Sequence, residues 1–106
     1  MQISPRLSLT YVLPQQAQKH LSVNETIRRL DALVQMRAIS KSVAAEPPSP
    51  TEGDAYILPA GKSGAAWSGF ADNAVAVFQD GAWTAISPHD GFLAWVSQEG
   101  AFYRYA

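Results

Sequence analysis

Between residues 18 and 35 the sequence QKHLSVNETIRRLDALVQ gathers His20, Asn24, Glu25, Arg28, Arg29 and Asp31. An imidazole beside carboxylates can bind a metal or move a proton, so reactive chemistry is sought here first. A zinc centre needs three or four ligands in tetrahedral array, commonly histidine or cysteine. The chain has two histidines, His20 and His89, in different segments, and no cysteine. The same residues fit the start of a helix. Ser22 and Glu25 have the capping-box spacing, in which the serine oxygen accepts from the third helical amide and the glutamate reaches back to the cap amide. Asp31 then reads as a helix-surface charge near Arg28. On this reading the segment is structural, with no catalytic residue, no metal and no cofactor.

Hydrolytic chemistry finds no better footing elsewhere. A nucleophile beside a base, or a carboxylate pair across a substrate, would be needed. The chain contains neither Gly-x-Ser-x-Gly nor His-Glu-x-x-His. Gly61-Lys62-Ser63-Gly64 resembles part of a phosphate loop, but lacks the upstream glycine and the following helix pattern, so it reads as a flexible turn. The chain is expected not to be an enzyme. Binding chemistry rests on aromatic residues. Trp67, Trp83 and Trp95, with Phe78, Tyr103 and Tyr105, either fill a core or present ring faces to a sugar. Trp83 follows a hairpin turn and Trp95 lies inside FLAWV, both core-like settings. Trp67, in GKSGAAWSG, is the one most available to a partner.

The elements that position these residues follow from pattern. With 106 residues, 47% of them hydrophobic, the chain suits one small domain with a real core. A net charge of -1 gives no reason to expect nucleic acid or an anionic membrane as partner. The charge is uneven: residues 1–45 carry six cations against two acids, and residues 46–106 two cations against seven acids. Such a split suits contact between opposite ends of neighbouring copies, and solvated faces explain it about as well. No signal-peptide pattern opens the chain and no apolar run has membrane-spanning length, so a soluble protein made in a reducing compartment is expected.

Residues 1–14 read as an extended N-terminal arm, with Ile3, Leu7, Leu9 and Tyr11 alternating with polar residues between Pro5 and Pro14. Such an arm can lie on its own domain or mediate assembly with another. Residues 15–106 form a single α+β domain. Its one amphipathic helix runs from about 23 to 36, with Ile27, Leu30, Leu33 and Val34 on one face and Arg28, Asp31 and Gln35 on the other. Residues 34–43 fit a short strand, and 44–53 a proline-rich connector. A small antiparallel β-meander then fills 55–105, with turns at Asp80-Gly81, Pro88-His89-Asp90-Gly91 and Glu99-Gly100.

The stretches LPQQAQKHLSVNETIRRLDALVQ, PPSPTEGDAYILP, GAAWSG and DGAW…SPHDGFLAWV, in that order, give the chain a resemblance to a domain family of unknown function. That family occurs in alphaproteobacterial prophages and gene-transfer-agent particles. The similarity runs from about Leu13 to Val96, and AQKH…NE…RLD and GDAYI are its most specific parts. The resemblance implies a virion structural role at the head spike, which decorates capsid vertices and aids attachment to recipient-cell polysaccharide. It supplies no catalytic residue. Longer family members continue into a fibre and this sequence ends at Ala106, so a spike base or adaptor is expected in place of a receptor-binding tip. The implied partners are further copies of the chain, a capsid protein and a spike or fibre protein. Fivefold capsid vertices suit a ring, a pentamer included. The alternative is a carbohydrate-binding module that meets cell-surface polysaccharide through exposed Trp67, Trp83 and Trp95.

Overall fold

The computed structural model describes residues 3–11 and 19–106, with residues 19–22 described by their backbone alone. The fold is α+β. A helix α1 (Lys19–Leu33) is followed by β1 (Arg37–Ala38), β2 (Ala55–Ile57), a 3-10 turn (Trp67–Gly69), β3 (Val75–Gln79), β4 (Ala82–Ile86), β5 (Leu93–Val96) and β6 (Ala101–Arg104). The strands form two three-stranded sheets, ordered β2-β3-β4 and β1-β5-β6. Among these strands the pairings are antiparallel except β1 with β5, which is parallel.

Local chemistry explains the hairpins. Asp80 and Gly81 both take positive φ, at 54° and 82°, the mirror-image turn that matches strand twist across a two-residue loop. Gln79 pairs with Ala82 directly beside it. The expected single meander is interrupted at residues 87–92, where β4 and β5 part into different sheets. The chain around β1 rejoins them. Its far side receives Trp95 N–H at Met36 C=O (3.0 Å) and Ser97 N–H at Ala38 C=O (2.9 Å). Its near side gives Ile39 N–H to Ala55 C=O (2.7 Å) and receives Ile57 N–H at Ser40 C=O (3.0 Å).

Sheet β2-β3-β4 is covered on both faces, which accounts for the unbroken apolar run VAVF in β3. One face packs Ala55, Val75, Val77 and Ile86 against Ala32, Met36 and Ala94. The other packs Ala76 with Leu58 and Trp67, flanked by Tyr56, Phe70 and Trp83.

The helix corrects the expectation in three respects. It begins at Lys19, upstream of the expected start, and ends at Leu33. Ser22 is therefore a helical residue, whereas an N-cap must have non-helical backbone, so Ser22 and Glu25 are not a capping box. The helix also presents the opposite face to the domain. Asn24, Asp31 and Ala32 are buried, while Val23, Leu30, Leu33 and Val34 are 39%, 48%, 37% and 45% exposed. Asp31, read as a surface charge, is 0% exposed.

The reason is the N-terminal arm. Over its described part it doubles back, with an antiparallel bridge between Ile3 and Thr10, and lies on its own domain. Asp31 Oδ1 accepts from the Ser4 hydroxyl (2.6 Å) and the Leu7 amide (2.6 Å), and both carboxylate oxygens accept from the Arg6 amide. Gln79 Nε2 on β3 donates to Asp31 Oδ2 (3.2 Å) and to Arg28 C=O (2.9 Å). A buried carboxylate is tolerated only when donors replace its water, and here they come from the arm and the sheet. Arg6 then closes the helix C-terminus: its guanidinium donates to the carbonyls of Asp31, Val34 (3.0 Å) and Gln35 (2.7 Å). These are carbonyls a helix end leaves unsatisfied, and a cation suits the negative end of its dipole. Gln35 leaves the helix at φ 51°.

Tyr11 completes the attachment. It is 5% exposed, donates to Asp80 Oδ2 (2.8 Å), and lies under the Arg28 guanidinium, which also donates to Asp80 (2.6 Å). Burial first, and then the Asp80 hydrogen bond, push its hydroxyl from 10.0 up to about 12. Positions 12–14 of the expected arm lie outside the described residues.

Two predictions follow from the Asp31 and Tyr11 contacts. Asp31→Ala strands the Ser4, Arg6 and Leu7 donors and should cost on the order of 3 kcal/mol in urea melts. In the same variant trypsin should cut after Arg6 far faster than in the parent chain. The folded state holds the Tyr11 proton more tightly than the unfolded state, so this stabilisation is complete below about pH 10 and lost as pH rises through about 12. Urea midpoints measured across that window should fall less in Tyr11→Phe than in the parent chain.

Candidate interaction surface

Alternation along β5 and β6 decides what the second sheet shows to solvent. Ala38, Ala94 and Val96 point inward and are 0%, 6% and 0% exposed. The register then aligns Arg37, Trp95 and Phe102 across the three strands on the outer face, with Leu93 beside Arg104 in the next row. Leu93 is 59% and Phe102 67% exposed, and Trp95 is half-buried. The Trp95 and Phe102 rings meet edge to face at 5.0 Å, which fixes both on an otherwise open sheet. Leu33, Gln35 and Met36 from the end of the helix join Arg37, Leu93, Trp95 and Phe102 to line one shallow groove of about 560 Å³. Leu30 and Val34 adjoin Leu33 on the helix surface, so the apolar stripe of α1 runs into the apolar face of the sheet.

The three tryptophans thus divide between two places, Trp67 with Trp83 in one and Trp95 in the other. Trp67, the one expected to be most available, is 0% exposed, which corrects that expectation. Its position in a glycine-rich loop suggested exposure, but those small residues allow close packing. Glu46 Oε1 accepts from the Ala66 and Trp67 amides, both at 2.9 Å, and draws the loop onto the proline-rich connector. A Cβ on Gly64 would stand 2.4 Å from the Glu46 Cβ, and Gly64 has φ 134°, so only glycine fits. Trp67 enters an aromatic cluster, 5.2 Å from Tyr56 and 5.3 Å from Trp83. Trp83, half-buried, also meets Phe78 at 5.3 Å and belongs to the same packed layer. Trp95 alone of the three lies on the outer apolar face.

The other singled-out residues have structural places. Within the arm, Tyr11 is buried, Leu7 and Leu9 are half-buried and Ile3 is 46% exposed, so most of its apolar surface is used within the domain. His89 is exposed, its ring 5.5 Å from that of Phe92. The His20 side chain lies outside the described residues. Lys62, in the supposed phosphate loop, donates to Asp72 at 2.6 Å.

Sequence reasoning missed Leu93, Phe102 and the outward face of the helix. A signal was present: FLAWV and AFYRY carry apolar residues at consecutive positions, and a sheet with two apolar faces at the edge of a small domain has only one core to bury them in.

Residues 23–106 match the family model described as Protein of unknown function (DUF2793), and the chain belongs to that family. The match begins later and ends later than the stretch 13–96 that carried the resemblance, and it includes the final strand. No curated protein and no solved structure matches the chain.

The aromatic positions differ in expected cost. Trp67→Ala should destabilise by roughly 3–5 kcal/mol, as for a large buried side chain. Phe102→Ala should stay within about 1 kcal/mol, because its ring is mostly in water. Urea melts of the two variants would check the contrast, and equal costs would remove Phe102 from the exposed surface.

Proposed function

We propose that this chain is a structural component of a phage-like particle, a prophage or gene transfer agent, serving as a head-spike base or adaptor that oligomerises and links capsid to a spike or fibre protein. The observation that carries the reading is the apolar surface running from α1 onto the outer face of β5 and β6. Val23, Leu30, Leu33, Val34, Leu93 and Phe102 are each more than a third exposed. Across residues of this size such fractions amount to roughly 500 Å² of exposed surface, within the range of the largest patch a typical monomer shows and often uses. A rigid surface of that size serves a domain that must stay bound to neighbours. The resemblance to particle proteins supplies the setting. The arm, expected to mediate assembly, is occupied in the domain's own fold, so the proposal places the contact on the helix and sheet.

A second reading keeps one observation. Trp95 and Phe102 on an open sheet beside Arg37 and Arg104 could present ring faces to a polysaccharide, the alternative function for this chain.

Particles from cells producing tagged chain separate the two readings when fractionated on a density gradient. The parent chain should sediment with the particles, and Leu93→Glu/Phe102→Glu should remain in the soluble fraction with unchanged circular dichroism. A double variant that enters particles normally but no longer binds cells would overturn the assembly reading in favour of polysaccharide recognition.

A further inference from the structure

A second groove lies on the far side of the domain. Glu46, Pro47, Pro48, Pro50, Gly64, Ala65, Ala66, Phe78 and Trp83 are among the residues that line it, and its volume is about 570 Å³. One wall is the proline-rich connector and the other the aromatic face of β3 and β4. The two grooves face away from each other. Ala94, on the inner face of β5, shares a core cluster with Val75 and Val77 of β3, so that core lies between the sheets and each groove lies beyond its own sheet.

The grooves match in size and differ in charge. The lining of the first includes Arg37 and no acid, with Arg104 beside Leu93 in the same face. The lining of the second includes Glu46 and no cation. Glu52 stands apart from it, in a pocket shared with Arg6 and Arg37 of its own chain. Among the described residues, no ion pair engages Arg37, Arg104 or Glu46. The Glu46 carboxylate accepts instead from the Ala66 and Trp67 amides, which orders it without neutralising its charge. Pairing the first groove with its own copy would set arginines against arginines. Pairing it with the second groove sets arginines against the Glu46 carboxylate around an apolar centre.

We propose, building on the assembly reading, that copies of this chain join head to tail: the Leu93/Trp95/Phe102 face of one copy docks on the connector groove lined by Pro48, Ala65 and Trp83 of the next. A contact between two different surfaces repeats, and it closes into a ring when the rotation per copy divides a full turn.

The test is complementation between two broken surfaces, read by sedimentation velocity. Phe102→Glu disables the first surface and Ala65→Arg the second, both at exposed positions. The parent chain should form oligomers. Each variant alone should be monomeric, with association at least tenfold weaker and near-ultraviolet circular dichroism unchanged. Mixed one to one, the variants should give a dimer and nothing larger, because one competent joint remains. Raised salt should weaken the dimer. Ala65→Arg assembling like the parent, or a mixture that stays monomeric, would overturn the head-to-tail arrangement while leaving the assembly reading in place. A parent chain that stays monomeric at several hundred micromolar would also overturn it, and particle incorporation would then still judge the assembly reading separately.

Discussion

The structure turns on a carboxylate that water cannot reach. Asp31 is fully buried, and its donors come from the Ser4 hydroxyl, the Arg6 and Leu7 amides and the Gln79 side chain. Removing a carboxylate from water costs several kcal/mol unless such donors replace the solvent, so arm, helix and sheet are obliged to meet at this point. Arg6, brought there by its own backbone contact, satisfies the Asp31 carbonyl in the last turn of the helix and those of Val34 and Gln35 just beyond it. One buried charge thereby sets where the arm lies, how the helix is rotated and how it ends.

The rotation has a chemical consequence at the surface. A helix that turns Asn24, Asp31 and Ala32 inward must turn Leu30, Leu33 and Val34 elsewhere. Leu33 comes to stand beside Leu93, Trp95 and Phe102 of the outer row of β5 and β6, where the apolar stripe of the helix meets that of the sheet. The polar anchoring of the helix and the apolar exterior of the domain are thus a single arrangement. It also sorts the aromatic residues by role: Trp67 and Trp83 build the packed layer under the connector, and Trp95 with Phe102 faces outward.

Much of the architecture was legible in the sequence because it is written locally. The Asp80-Gly81 pair specifies a two-residue hairpin through backbone angles that few other residues adopt cheaply, and β3 and β4 flank it as expected. The run of prolines marks the connector, and the helix is evident from its period. What was not legible depends on residues far apart in sequence. The rotation of α1 is fixed by partners 24 to 48 positions away, and an amphipathic pattern says which residues share a face without saying which face is covered. Ser22 and Glu25 have the spacing of a cap, yet a spacing of three also recurs on every helical turn. Trp67 looked exposed because its neighbours are small, and smallness is what lets the connector and the loop close over it. The division of the strands into two sheets follows from the parallel pairing of β1 with β5, for which no turn motif exists.

The distribution of the arm's partners also bears on the order in which the chain takes shape. Its contacts lie 24 to 29 residues ahead at Asp31, Val34 and Gln35, and 69 residues ahead at Asp80. During synthesis the arm is made before these partners and has no complete seat until the β3–β4 hairpin has also emerged. Until then Asp31 can take the Ser4, Arg6 and Leu7 donors but lacks that of Gln79, which joins the helix to β3. The arm and helix can thus meet early, and their shared attachment to the sheet is completed late.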